Sequence, residues 1–244
     1  LEKIEICIDI LKNARNELYL SMRFFDVILS GFEFLPDTKI SGMGTDGFTV
    51  YFYPDYLIGL YQRTPVQVNR AYLHMIFHCL FGHLKQPDHT DEQYWNLACD
   101  IVVESIIDEL NEHSVRKYVP PYRKGVYQKL REKMEVLTPK GVYWELLGMH
   151  LEEEQFGKMQ EEFFVDDHVL WNENVSPEKC IEREKKWKEQ NEKLQTEMEA
   201  FSKEASENAE NILNQVQIEI VTDMTIESFG KVCDFKRGNA GGSG

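Results

Sequence analysis

Between Thr64 and Phe81 the chain runs Thr-Pro-Val-Gln-Val-Asn-Arg-Ala-Tyr-Leu-His-Met-Ile-Phe-His-Cys-Leu-Phe, and beyond the first turn nearly every position around a helical wheel is apolar. A helix that is apolar on all sides cannot lie on a surface, so the rest of the fold has to be built around it. Thr64 suits the cap, Pro65 the first helical position, and Gln67 completes a T-x-x-Q capping box. Gly82 is a natural terminator. His74 and His78 are embedded in this helix, and a buried imidazole is costly without a partner.

The flanking segments supply the shell. Residues 1–30 read as one amphipathic helix on Leu1, Ile4, Ile8, Leu11, Leu18, Met22, Phe25 and Leu29. Residues 36–47 are rich in turn formers and lead into Phe48–Tyr53, a β-branched and aromatic run that predicts a strand, half of a hairpin. Pro54 opens a short helix to about Tyr61, and Thr90 with Gln93 predicts a second capping box before a helix over 91–110. Weaker helical patterns follow the Pro120-Pro121 turn, near 126–136 and 139–150. The expected fold is α+β and predominantly helical: a small sheet or hairpin, a buried helix carrying the site, and a long C-terminal helical extension. Residues 1–150 form the first unit, 151–237 an acidic segment and helical extension, and 238–244 a flexible linker toward a further C-terminal domain.

Charge divides along the same line. Against 27 basic side chains stand 42 acidic ones, a net charge of -15, which argues against nucleic acid or an anionic membrane as partner. Residues 145–173 hold a dense set of Glu and Asp and read as a solvated face or loop. Asp166-Asp167-His168 with Trp171 lies there and is only a weak metal candidate. From Pro177 to about Gln217 a polar helix keeps a heptad-like seam on Trp187, Leu194, Met198, Phe201, Ala205 and Ile212. It fits a coiled-coil arm, a homodimer element or a strut along the first unit. Five scattered cysteines with no C-x-x-C pair fit a reducing compartment and a cytoplasmic location, and no apolar run is long enough for a membrane span. Phosphate-loop and serine-hydrolase motifs are absent.

The chemistry concentrates in His74-x-x-x-His78-x-x-x-x-His83. His74 and His78 sit about 40° apart around the axis, so both imidazoles can address one ion. His83 joins them only if the chain reverses at Gly82, which glycine permits. Three neutral imidazoles and a water would make an open zinc site. The competing reading is a set of core histidines satisfied by backbone carbonyls.

Together with Tyr94-Trp-Asn-Leu-Ala-Cys-Asp100, that pattern resembles the zincin-like metallopeptidase domain of bacterial proteins that carry a von Willebrand factor A-like domain and are associated with MoxR-type AAA+ ATPases. Their helix reads H-E-x-x-H-x-x-x-x-H and the next W-N-x-A-x-D; the likeness spans Gly44 to Glu104, including Thr45-Asp46-Gly47. The resemblance implies His74, His78 and His83 as ligands of Zn2+ or another divalent transition metal, with Asp100 as a fourth ligand or an orienting group. It also implies an A-like domain and an AAA+ ATPase as partners. One position departs: where the family keeps the water-activating glutamate, this chain has Met75. Losing a general base costs roughly 10²–10⁴ in rate. Three readings follow: a metal-binding domain degenerate as a peptidase, an active metallohydrolase with Glu104 or Asp46 as substitute base, or a metal-free structural or interaction protein.

Overall fold

In the computed structural model, which describes residues 2–110, 112–171 and 176–201, the first helix is shorter than its periodicity predicts. Helix α1 covers Glu2–Ser21, a single 3₁₀ turn covers Arg23–Phe25, and a short α2 covers Asp26–Leu29. The break falls at Met22, whose φ of -134° is not helical. It redirects the chain so that Met22, Phe25, Ile28 and Leu29 all reach the core.

A three-stranded sheet comes next, β1 (Glu33–Pro36), β2 (Met43–Thr45) and β3 (Thr49–Phe52), in the order β1-β3-β2. β1 runs parallel to β3, with Phe34 opposite Val50, while β2 pairs antiparallel, with Thr45 opposite Val50. The β2–β3 hairpin matches the strand expected at 48–53. Its turn is built by side chains: Asp46 Oδ1 accepts from the amides of Phe48 and Thr49, each at 2.9 Å, and Thr45 Oγ1 donates to Thr49 O at 2.8 Å.

Helices α3 (Pro54–Arg63) and α4 (Pro65–Leu80) follow. α4 is the central helix that its sequence demands: every residue from Val68 to Leu80 is buried. α1 and α3 pack on it, as does α5 (Glu92–Glu109). The predicted Thr64–Gln67 box does not form, since Thr64 makes no side-chain cap and its carbonyl accepts from Gln67 N instead. At α5 the cap is Asp91 rather than Thr90, its Oδ1 accepting from the amides of Gln93 and Tyr94. A carboxylate there also favours the positive end of the helix dipole.

Beyond α5 lie α6 (Pro121–Arg131), α7 (Pro139–Gly148) and α8 (Glu153–Phe163), then a 3₁₀ turn at His168–Trp171 and α9 (Pro177–Phe201). Part of the acidic stretch is thus a solvated helix face and not a loop. α8 exposes Glu153, Glu154 and Glu161, pairs Glu162 with Arg123 and buries Phe156, Met159 and Phe163, and Asp166 and Trp171 behind it are also buried. Negative charge had obscured an amphipathic period.

The described part of α9 is a strut. It lies along α4, α2 and the first 3₁₀ turn, with Trp187 and Leu194 in the core. Trp187 Nε1 donates to Gly47 O at 2.8 Å, and Arg183 donates to the carbonyls of Trp171 and Leu84 at 2.9 and 3.0 Å. The side chains of Met198 and Phe201, and all of Ala205, Ile212, Cys233 and the 238–244 linker, fall outside the described residues. Cys7, Cys79 and Cys99 are all buried, as packing residues should be. Among the described residues no helix is long and apolar enough to cross a membrane.

Candidate metal centre

Two complementary stripes meet where α4 crosses α5. On α4, Arg70, His74 and His78 recur at every fourth residue; on α5, Asp100, Glu104 and Asp108 do the same. Such spacing puts each trio on one helix face. The helices pair them in reverse order. His78 Nε2 is 3.2 Å from Asp100 Oδ1, His74 Nδ1 is 3.0 Å from Glu104 Oε1, and Arg70 Nη2 donates to Glu104 at 2.7 Å and to Asp108 at 2.6 Å.

The segment after α8 closes the third side. Asp167 N donates to Met43 O at 2.7 Å, fastening this segment to the outer edge of β2 and turning Asp166 and His168 inward. His168 Nε2 lies 3.2 Å from Asp100 Oδ1 and from Asp166 Oδ1, and its ring stacks on Trp171 at 3.7 Å. His74 Nε2 is 2.7 Å from His78 Nε2 and 3.4 Å from Asp166 Oδ1. Ligand atoms from His74, His78, Asp100, Asp166 and His168 all lie within 4.8 Å of one another.

The close approach at Gly44 makes this arrangement sensitive. A Cβ on Gly44 would stand 2.5 Å from the carbonyl oxygen of Asp167, a backbone atom that cannot step aside alone. Gly44→Ala is therefore expected to push the Asp166–His168 segment off β2. The expected readout is a loss of metal affinity of at least about tenfold together with a lower melting temperature. A chain with unchanged affinity would show that the segment is not held by this contact.

His83 takes a different place from its expected one. Gly82 does adopt the left-handed conformation, with φ of 75°, and the chain does reverse. The turn, closed by His83 N donating to His78 O at 2.9 Å, sets the His83 ring behind His78 rather than beside it. His83 Nδ1 lies 3.0 Å from His78 Nδ1, and its Nε2 is buried without a partner. It stands outside the five-residue cluster, where it can accept the Nδ1–H of His78 and leave the Nε2 lone pair of His78 facing inward. Glu104 does the same for His74. Asp46 is remote in role: its carboxylate serves the hairpin turn and pairs with Lys179 Nζ at 2.9 Å.

The electrostatics of the cluster favour a cation. Burial works against ionising Glu104, but the charge of Arg70, then His74 and Arg123, outweighs it and holds the carboxyl well below the usual range. Burial also opposes charge on Asp100 and Asp166, yet the neighbouring His168 keeps both pKa values low. Burial opposes a charged His74 as well; hydrogen bonds to Asp100 and Glu104 and the charge of Asp166 raise it to about 9. His168, against burial, is raised to about 10 by Asp100 and Asp166. Burial and the charge on His74 push His78 down to about 4. Two buried carboxylates thus recruit protons onto His74 and His168, a demand that a divalent ion satisfies directly. Asp166 Oδ2, buried with no hydrogen-bond partner, also fits a metal ligand. The donor set fits a divalent transition metal.

A cavity of about 220 Å³ opens onto the cluster, lined by Asp100, Asp166 and His168 together with Asn96, Gln160 and Phe164. The structure thus brings together His74, His78 and Asp100 and sets Glu104 just behind them. Asp166 and His168, only weak metal candidates in the sequence because of their acidic surroundings, complete the group. Arg70 was missed, although its place four residues before His74 was a usable signal. The sequence model of the family described as "Putative metallopeptidase domain" matches residues 9–218. No curated protein and no solved structure matches the chain.

Proposed function

The chain belongs to this family of metallopeptidase-type domains, and from that premise we propose that it is a divalent-metal-binding domain that has kept a metal centre and lost peptidase activity. The observation that carries the second half is the condition of Glu104. Its Oε2 accepts from both Arg70 and Arg123, its Oε1 faces His74 Nδ1, and it is almost fully buried. A carboxylate so neutralised and so hydrogen-bonded is a poor proton acceptor at neutral pH. It is better suited to orienting His74. Met75, at the family's glutamate position, is fully buried in the core and has no proton chemistry. Asp46 is committed to its turn and to Lys179.

A bound ion would supply Lewis acidity and a more acidic water. The residues of this chain hold it through His74, His78 and Asp100, fix the imidazole tautomers through Glu104 and His83, and admit a small ligand through the cavity. The sequence resemblance extends the proposal to context: a module working beside an A-like domain and an AAA+ ATPase, with zinc as the first metal to test.

Purified without chelator, the chain is expected to carry about one divalent ion, and His74→Ala with His78→Ala to carry none. The loaded chain should leave unstructured protein substrates uncut. Cleavage abolished by Glu104→Gln or Asp46→Asn, with metal retained, would overturn the degenerate reading and make that residue the base. Absence of metal from the wild-type chain under every loading condition would overturn the metal reading altogether.

A further inference from the structure

We propose that Asp166 and His168 complete the metal's own shell, giving one ion five protein donors and a single exchangeable position, so that the centre suits five- or six-coordinate ions such as Fe2+ or Mn2+ rather than an open three-ligand zinc site. This inference rests on the metal reading above and adds the coordination number, the extra ligands and the class of metal.

Spacing is the first argument. Donors about 2.1 Å from one ion lie about 3.0 Å apart at right angles and about 4.2 Å apart when opposite, whereas tetrahedral neighbours lie about 3.4 Å apart and only four can fit. Seven of the ten separations among the five atoms run from 2.7 Å, between His74 and His78, to 3.9 Å, between His78 and Asp166, and all ten lie within 4.8 Å. His168 Nε2 lies 3.2 Å from Asp100 Oδ1, and Asp166 Oδ1 lies 3.4 Å from His74 Nε2 and 3.9 Å from His78 Nε2, beside separations of 2.7–3.2 Å among the helix-borne ligands themselves.

Donor chemistry points the same way. Three imidazoles and two carboxylates mix borderline and hard ligands with no thiolate, a set that suits iron and manganese. Cys79 and Cys99, each next to a ligand in sequence, stay in the core instead of joining the cluster. Charge also balances: Asp100 and Asp166 together neutralise a dication in a buried site, while Glu104 is neutralised separately by Arg70 and Arg123.

Position then defines the opening. Asp100, Asp166 and His168 belong to the cluster and also line the cavity, so the remaining coordination site is assigned to the cavity side. One free site can take a water or one donor atom of a ligand, but not an attacking water and a peptide carbonyl together. The ring plane of His168 is fixed by Trp171, and the segment is anchored by the Asp167–Met43 hydrogen bond, so both extra ligands are built into the fold.

Cobalt substitution tests the coordination number. The full chain, stripped by chelation and reloaded with Co2+, is expected to give the weak visible bands of five- or six-coordination; intense tetrahedral bands would overturn the proposal. Mn2+, and Fe2+ loaded anaerobically, should each bind stoichiometrically. Asp166→Asn and His168→Gln should each weaken Mn2+ binding by at least about tenfold in calorimetric titration, whereas His89→Gln, on an outer loop, should not. Melting of the metal-free variants separates lost ligation from lost folding. Metal bound with tetrahedral bands and unchanged affinity in both variants defeats this inference alone; no metal bound in any form defeats the reading beneath it.

Discussion

Replacing Arg70 by alanine is expected to destabilise the domain by about 3–5 kcal/mol. For a chain of this size that corresponds to a fall in melting temperature of roughly 10 °C. Arg70 is almost fully buried. It donates to Val115 O at 3.0 Å as well as to Glu104 and Asp108, so its removal leaves two interior carboxylates sharing Arg123. The loss comes from stranded charge rather than from volume. Arg70→Met should therefore be nearly as harmful, while Arg70→Met with Glu104→Met should regain part of the stability. The regained stability should not restore metal affinity, because His74 Nδ1 would have lost its acceptor. The pH dependence has a definite sign. Glu104 has a depressed pKa in the folded protein, so its contribution is full above the ordinary carboxylate value and is lost as pH falls through the folded value. Without Arg70 that depression shrinks, so the gap between variant and wild type should stay constant from pH 7 down to the ordinary carboxylate pKa of about 4.3 and narrow only as pH falls below it. Equal melting temperatures at pH 7 would refute the buried network as a source of stability.

How much of this centre was legible in the sequence depends on where each residue lies. His74 and His78 belong to one helix, so spacing alone aligned them, and the family pattern added Asp100 from the next helix. The reversal at Gly82 was legible as well, but not its amplitude. A six-residue turn sets His83 behind His78, where it can hydrogen-bond to the ligand and not to the shared centre. Arg70 and Asp108 extended the two stripes by one turn each, yet a lone charge toward one end of a helix reads as a solvated end until its partner helix is known. Asp166 and His168 were hardest, because nothing local distinguishes a buried aspartate within an acidic run. Only the outer edge of β2, more than a hundred residues earlier in the chain, turns them inward. The helical core was legible for the opposite reason: α4 is apolar on nearly every face apart from the stripe of Arg70, His74 and His78, so it has to be covered by the remaining helices. The interruption of α1 at Met22 was not, since the apolar period runs straight through it.

Removing the metal is expected to have the other large effect. A ligand present at roughly 1,000 times its dissociation constant stabilises the folded state by about 4 kcal/mol, so exhaustive chelation should lower the melting temperature by an amount similar to the loss of Arg70. The ion's donors would come from α4, from α5 and from the segment after α8, and the last of these is irregular backbone held to β2 by one main-chain hydrogen bond rather than by a helix. Amide exchange of Asp167, which donates to Met43 O, should therefore accelerate on chelation well before that of α4 does. Without the ion, Asp100 and Asp166 depend on protons carried by His74 and His168. Both imidazoles have raised pKa values, about 9 and about 10. A raised value gives stability that is full below the unfolded histidine pKa of about 6.5 and is lost as pH rises through the folded one. Between pH 7 and about 10 the metal-free chain should thus melt at progressively lower temperature. His78, pushed down to about 4, works in the opposite sense but only below about pH 6.5. The loaded chain, whose imidazoles are held by the ion instead of by protons, should be nearly flat across the same alkaline range. Parallel curves for the two forms would mean that these histidines do not share one ion, because protons and metal would then not be competing for the same lone pairs.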